Sequence, residues 1–205
     1  MKEKYDQEYY EDGIKNKVSA YENYRWMPQR SIREATSLIK EIVFGNVVDF
    51  GCAKGFLVHA LRLLGKEAFG VDVSNYAIKN CHPDVKNYVF NINEKPLKFF
   101  HNFDLMIAKD VFEHLEEDEL DEVLSETRKN FKQIFIAVPL GDGNRYRIRE
   151  YEMDVTHILR NTEDWWINKL VKNGFKIKYF DYQMGYIKDH WYNVDQFGNC
   201  FIVAD

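Results

Sequence analysis

Cysteine is scarce in this chain: three in 205 residues, Cys52, Cys81 and Cys200. None forms a Cys-x-x-Cys pair and an odd one is left over, so neither a disulfide framework nor a cysteine-built zinc site is expected, and a reducing compartment fits. No uncharged run approaches the roughly 20 residues of a membrane span. The stretch Met1–Tyr10 is charged and tyrosine-rich, without the apolar core of a secretion signal. Charge of neither sign dominates. The net charge of −5 provides no overall footprint for a polyanion. Repeats and low-complexity segments are also lacking, and no linker divides the chain. The expectation is one cytoplasmic domain over residues 1–205, with neither membrane nor DNA as a partner. Nothing in the sequence indicates an oligomeric state.

What is present begins with aromatics. Tyr5, Tyr9, Tyr10, Tyr21, Tyr24 and Trp26 crowd a stretch with no clear period, too many for a disordered tail. The stretch reads as a cap folding onto the domain, with Arg25 and Arg30 able to close over a ligand. From Gln29 to Phe44, Ile32, Ala35, Leu38, Ile39, Ile42 and Val43 recur at helical spacing. After Gly45 the pattern alternates. Strands are predicted at Asn46–Phe50, Glu67–Val73, Asn87–Ile92, Phe103–Ala108 and Gln133–Pro139. Helices are predicted at Phe56–Leu64, after Ser74, and at Glu116–Asn130 and Thr162–Asn173. Two further strands, Phe175–Gln183 and Asn199–Val203, have no helical pattern between them. Alternation of this kind implies an α/β fold, a mostly parallel sheet with helices on both faces and an antiparallel edge. Residues 1–44 form the cap and first helix, 45–139 the ligand-binding half, and 140–205 a further site segment and the last strands.

The chemistry centres on Val47 to Gly55, a strand running into a glycine turn and then a helix. Gly51 and Gly55 let a ligand approach the backbone closely. Asp49 stands at the carboxyl edge of the sheet, where open α/β sheets bind ligands. Asp72 ends the next strand about 20 residues on, the distance at which a carboxylate meets a ribose. A dinucleotide fold calls for Gly-x-Gly-x-x-Gly, because a pyrophosphate rests on the helix N-terminus. Here the middle glycine is missing and Asp49 precedes the turn. An acid there repels a pyrophosphate and suits an ammonium group, which disfavours an NAD-dependent oxidoreductase.

Asp49-Phe50-Gly51-Cys52-Ala53-Lys54-Gly55, Gly70-Val71-Asp72-Val73-Ser74 and Phe103 to Leu115, in that order, resemble the successive motifs of class I S-adenosylmethionine-dependent methyltransferases. The resemblance covers Val47 to Pro139. It implies a Rossmann-like seven-stranded sheet whose last strand inserts antiparallel, and S-adenosylmethionine as cofactor with S-adenosylhomocysteine as product. It places Asp49, Gly51, Cys52, Ala53 and Gly55 around the methionyl end, Asp72 on the ribose and Val73 beside the adenine. Asn91 and Ile92 stand where the family usually has an acid near the adenine amine. Ala108, Lys109 and Asp110 would lie beside the sulfonium.

Methyl transfer to a hydroxyl usually needs a base. The candidates are His157, Asp110 and His114, with Glu113 and Asp154 beside them in sequence. Asp110-x-x-Glu113-His114 also resembles the metal-binding Glu-x-x-Glu-His of some O-methyltransferases acting on ubiquinone precursors and small-RNA ends. The first acid here is one methylene shorter, and no metal ligand is assigned; a divalent metal is the alternative. Arg145, Arg147, Arg149 and Arg160 can clamp an anionic acceptor, or form a charge-mixed loop with Glu150, Glu152 and Asp154. Trp165 and Trp166 divide between core and acceptor site. The resulting expectation is O-methylation of a small molecule or a glycan or nucleotide-sugar precursor. RNA as acceptor, or a non-catalytic methyltransferase-like subunit that binds a partner, are the alternatives.

Overall fold

A computed structural model describes residues 4–205. The N-terminal stretch contains two short helices, α1 (Gln7–Glu11) and α2 (Gly13–Asn16), and leads into α3 (Pro28–Glu41). Pro28 opens α3, where its missing N–H is no loss. The remaining elements alternate: β1 (Asn46–Phe50), α4 (Phe56–Leu63), β2 (Glu67–Asp72), α5 (Asn75–Lys79), β3 (Val89–Asn91), β4 (Phe103–Lys109), α6 (Glu117–Asn130), β5 (Phe131–Pro139), α7 (Glu163–Lys172), β6 (Ile177–Asp181), α8 (Asp189–Tyr192) and β7 (Asn199–Ala204).

The strands form one seven-stranded sheet in the order β3-β2-β1-β4-β5-β7-β6. The first five run parallel, and β7 inserts antiparallel between β5 and β6. Successive strand residues serve opposite layers. Val47, Leu105 and Ile107 pack with Leu38, Val58 and Leu61 under α3 and α4. Val48, Met106 and Ala108 pack with Leu120, Leu124, Trp166 and Leu170 under α6 and α7. The sheet therefore has helices on both faces. Trp166 is core, and Trp165 packs against the same layer rather than facing the acceptor side.

Local chemistry sets the helix ends. Ser74 Oγ accepts from Ala77 N at the head of α5, and Thr162 Oγ1 from Trp165 N at the head of α7. Glu116 and Glu119 make a reciprocal capping box on α6, whose last turn carries Arg128 and Lys129. The chain reverses its order of strands between β1 and β4, so the carboxyl ends of β1, β2 and β4 open on one crevice. Among the described residues no helix is long and apolar enough to cross a membrane.

Candidate active site

The turn after β1 is built for close approach. Gly51 has φ +77°, and a Cβ there would run into Val111. Gly51 N and Cys52 N both donate to Val71 O, at 2.8 and 3.1 Å, which ties the turn to β2. Gly55, also left-handed, packs towards Val85 and Val89; it turns the chain into α4 and does not face the crevice. Beside the turn lies a cavity of about 410 Å³ lined by Tyr21, Tyr24, Arg30, Glu34, Asp49, Gly51, Cys52, Ala53, Lys109 and Asp110, among others. Five residues placed at the cofactor from sequence, Asp49, Gly51, Cys52, Ala53 and Lys109, thus share one wall. Asp49 is buried. Its burial pushes the carboxyl up to about 7, with Lys109 pulling it down and Asp72 pushing it further up.

Asp72 adjoins this wall from β2. Its Oδ2 accepts from Ala53 N at 2.7 Å and its Oδ1 from Ser74 N at 2.8 Å, so one carboxylate fixes both the glycine turn and the start of α5. Asn91 braces the same edge. Its Nδ2 donates to Val73 O and Asn75 Oδ1, while its Oδ1 accepts from Asn93 N. The amide that replaces the expected acid therefore holds the loops after β2 and β3 together. Val73 beside it is half-exposed, and Ile92 is partly buried.

Two polar residues in the cavity escape a reading by motif. Ser31 and Glu34 occupy the inward stripe of α3 with Ala35 and Leu38, where an apolar side chain is expected. That interruption is the signal that finds them. Arg30 pairs with Glu34 at 3.2 Å. Asp110, at a left-handed φ of 57°, accepts from Lys109 Nζ at 2.9 Å and from Lys188 Nζ. Burial alone would raise the Asp110 carboxyl, but the two ammoniums hold it well below the usual range. Burial likewise opposes the charge on Lys109, and Asp110 and Glu34 keep it above its ordinary value. Asp110 is a fixed carboxylate with two lysines on it, an unsuitable base.

Glu113, His114 and His157 come together behind Asp110, with their ligand atoms within 4.8 Å of one another. Glu113 is fully buried, and among the described residues neither carboxyl oxygen has a hydrogen-bond partner. Burial, then the Asp110 charge, pushes its carboxyl up to about 8. His157 Nε2 lies 4.0 Å from Glu113 Oε1. His157 Nδ1 is 2.9 Å from Tyr151 O, and a carbonyl only accepts, so Nδ1 carries the proton and Nε2 the lone pair. Thr156 Oγ1 donates to Asp154 Oδ1 at 2.5 Å and therefore accepts from His114 Nδ1 at 2.8 Å. That leaves the lone pair of His114 on Nε2 as well. Burial holds both rings below the ordinary imidazole range, His114 at about 4 with His157 lowering it further.

Tyrosines of the N-terminal stretch reach both the cavity and the histidine cluster. Tyr21 and Tyr24 wall the cavity. Tyr9 Oη donates to Asp154 Oδ2 at 2.6 Å, and the Tyr5 ring meets His114 edge-on at 5.8 Å. Of the four arginines considered as a clamp, Arg147 pairs with Glu163 and Arg160 with Glu152. Arg145, Arg149 and Arg160 line an open groove of about 1020 Å³ on the far side of Tyr146, whose ring is 5.4 Å from that of His157.

Residues 48–133 match the family model of a methyltransferase domain. No curated protein matches the chain in sequence. Among solved structures, it is similar to a SAM-dependent methyltransferase from Archaeoglobus fulgidus, with TM-score 0.61 and 22% identity over 84% of this chain and 93% of that one. An S-adenosylmethionine-dependent methyltransferase from Mesorhizobium loti aligns with TM-score 0.60 and 14% identity, over 82% and 95% of the two chains. The small RNA methyltransferase HEN1 aligns with TM-score 0.63 and 18% identity, over 86% of this chain and 25% of that one.

Proposed function

We propose that this chain, a class I S-adenosylmethionine-dependent methyltransferase by its domain and fold, methylates a hydroxyl oxygen on a small molecule or a glycan or nucleotide-sugar precursor. The observation that carries this reading is the carboxyl of Glu113, without a hydrogen-bond partner among the described residues, between two histidines whose Nε2 lone pairs make no hydrogen bond to those residues. An acceptor oxygen has a reason to sit there.

Asp49 would hold the cofactor's ammonium as a carboxylate, and Asp72 would hold the ribose hydroxyls. Tyr21, Tyr24 and the glycine turn keep water from the methionyl end. The acceptor's oxygen attacks the methyl carbon in line. Bound S-adenosylmethionine would supply the activated methyl group and keep the C–S electron pair on sulfur, and the hydroxyl proton would pass to water. Positioning supplies much of the acceleration.

The cluster also passes a test of fit for a divalent cation. A fully buried carboxylate with no partner is costly unless a positive charge neutralises it. Both histidines have their outer nitrogen fixed by Tyr151 O and Thr156, the arrangement that orients imidazole ligands. We therefore assign Glu113, His114 and His157 as the residues that would hold the ion. Such a cation supplies Lewis acidity, bringing a hydroxyl's ionisation towards neutral pH. In this reading His157, a base candidate by sequence, serves as a ligand, and Asp110 holds Lys109 and Lys188 in place. The three free cysteines suit a cytoplasmic setting.

The test is calorimetric titration with S-adenosylmethionine, S-adenosylhomocysteine and NAD, followed by methyl transfer from labelled cofactor to hydroxyl acceptors with and without a chelator. Because Asp72 also holds two turns, Asp72→Asn accompanies Asp72→Ala. Binding of NAD in preference to S-adenosylmethionine would overturn the assignment. A second acceptor class, RNA, is favoured by one observation, the open groove with Arg145, Arg149 and Arg160. Binding of a short RNA that weakens steeply with salt would select it.

A further inference from the structure

A second constellation of donors lies away from the crevice, on the α4 side of the sheet. His59 is in the second turn of α4, and His82 and Asp84 are in the turn that leads to β3. The two imidazoles stack with centroids 3.8 Å apart and planes at 17°. Asp84 Oδ2 lies 3.7 Å from His59 Nε2 and 3.9 Å from His82 Nδ1. The His59 side chain is 8% exposed, and among the described residues its ring makes no hydrogen bond. Among the described residues the one bond to the His82 ring is long, 3.4 Å from Asp84 N to Nδ1.

These separations are too long for hydrogen bonds and close to those of donors sharing one ion. Ligands at about 2.0–2.2 Å in a tetrahedral site lie roughly 3.3–3.6 Å apart. We propose that His59, His82 and Asp84 form a structural site for zinc or a similar borderline divalent cation, with solvent completing the shell. Two imidazoles and one carboxylate suit Zn²⁺, Co²⁺ or Ni²⁺ over Mg²⁺ or Ca²⁺. Stacked rings send their lone pairs side by side, so binding turns His82, the more exposed ring, until its lone pair converges with the other two. The carboxylate of Asp84 is exposed and can follow.

The site is placed to brace the cofactor loop. His82 N donates to Lys54 O at 2.9 Å, inside the glycine turn. The Trp26 ring stands 4.8 Å from His59 and 5.4 Å from His82, edge-on to both. Trp26 follows the cavity-lining residues Tyr21–Arg25 and precedes α3. An ion here would tie α4 to the turn before β3, against which Trp26 packs.

The test titrates chelator-stripped protein with Co²⁺, reading its visible absorption and the quenching of tryptophan fluorescence. Wild type should bind two equivalents, and Glu113→Gln, which silences the other cluster, one. In the Glu113→Gln background, His82→Ala and the surface change Asp84→Asn should each weaken that remaining site. The loss should be at least the roughly tenfold that even an outer-shell partner costs. Trp26→Phe should remove most of the quenching and leave the binding isotherm unchanged. The proposal is overturned if Glu113→Gln alone abolishes all binding. It is equally overturned if His82→Ala and Asp84→Asn bind Co²⁺ as their parent does. A wild type that binds a single equivalent, dependent on His82 and unaffected by Glu113→Gln, would count against the acceptor-site ion alone.

Discussion

Lys54 Nζ donates to Glu11 Oε1 at 2.5 Å, joining the glycine turn after β1 to the first helix of the chain. The same ammonium donates to Tyr24 O at 2.9 Å, and Glu11 also accepts from Tyr76 Oη at 3.0 Å. Both charged side chains are largely shielded from solvent. The pair therefore ties the glycine turn to the N-terminal stretch.

Glu11→Gln keeps the shape and removes the charge that holds Lys54. The cap should open more often. We expect the release rate of S-adenosylhomocysteine to rise about tenfold, equivalent to about 1.4 kcal/mol, by stopped-flow fluorescence. Faster hydrogen exchange should be confined to residues 7–24 and the turn after β1. An unchanged release rate would mean that the cap is not on the exit path.

Asp49 should make cofactor affinity depend on pH. Its carboxyl titrates at about 7 in the empty site, because burial favours the neutral acid. A cofactor ammonium needs the carboxylate. Affinity should therefore be level above about pH 7 and fall up to about tenfold for each unit below it. Asp49→Asn should bind weakly and without that slope. The sign for stability is the opposite. With the folded value raised above the unfolded one, the empty protein is most favoured below about pH 4 and loses this contribution as pH rises to about 7. Thermal melts of wild type against Asp49→Asn across that window check it.

Much of this arrangement is legible in the sequence, and the exceptions have physical causes. The strands from Asn46 to Pro139 announce themselves because each is a short apolar run closed by a turn or a capped helix. Helix and strand ends shift by a few residues, as at Phe131 and Ile177, where pairing with neighbours extends or trims a strand. The helices α1 and α2 have no amphipathic period to betray them. They are held by tyrosine contacts such as Tyr9 with Tyr10 and Tyr10 with Tyr76, which only the fold creates. His157 and Glu113 are each visible as candidates, but nothing local says that they meet. Lys188 is invisible for the same reason. It reaches Asp110 across 78 positions from a loop without a motif. The arginine segment reads two ways in sequence, and Glu152 and Glu163 pair two of its four members in the structure.

The Lys188–Asp110 contact should be structural as well as positional. Lys188 is buried, with its ammonium on Asp110 and 4.7 Å from the Tyr151 ring centre. Asp110→Asn removes the charge facing two ammoniums, and breaking a buried pair costs about 3–5 kcal/mol. Urea unfolding should show a drop of that order. Lys188→Met should cost less, because Lys109 still holds Asp110 and the apolar chain fills the space.

The acceptor cluster separates two roles for His157. If Glu113, His114 and His157 hold a cation, a chelator should abolish methyl transfer, and Mn²⁺, Co²⁺ or Zn²⁺ should restore it. His157→Ala should then lower kcat by about 10²–10⁴ and leave cofactor affinity unchanged, since Asp49 and Asp72 lie on other strands. Glu113→Gln should match it, because an amide in that position presents a neutral, weaker ligand. Activity that survives the chelator would argue for the other role. His157 Nε2 would then be the base, as the sequence alone suggests. The profile of kcat against pH would fall on the acid side at a value below the ordinary imidazole range, the direction in which burial moves this ring. Under that outcome Glu113 sits beside it as a neutral acid, held so by the same burial that lifts its carboxyl to about 8, and Glu113→Gln should be mild. The ratio of the two variants' rates, measured with and without chelator, therefore decides between ligand and base.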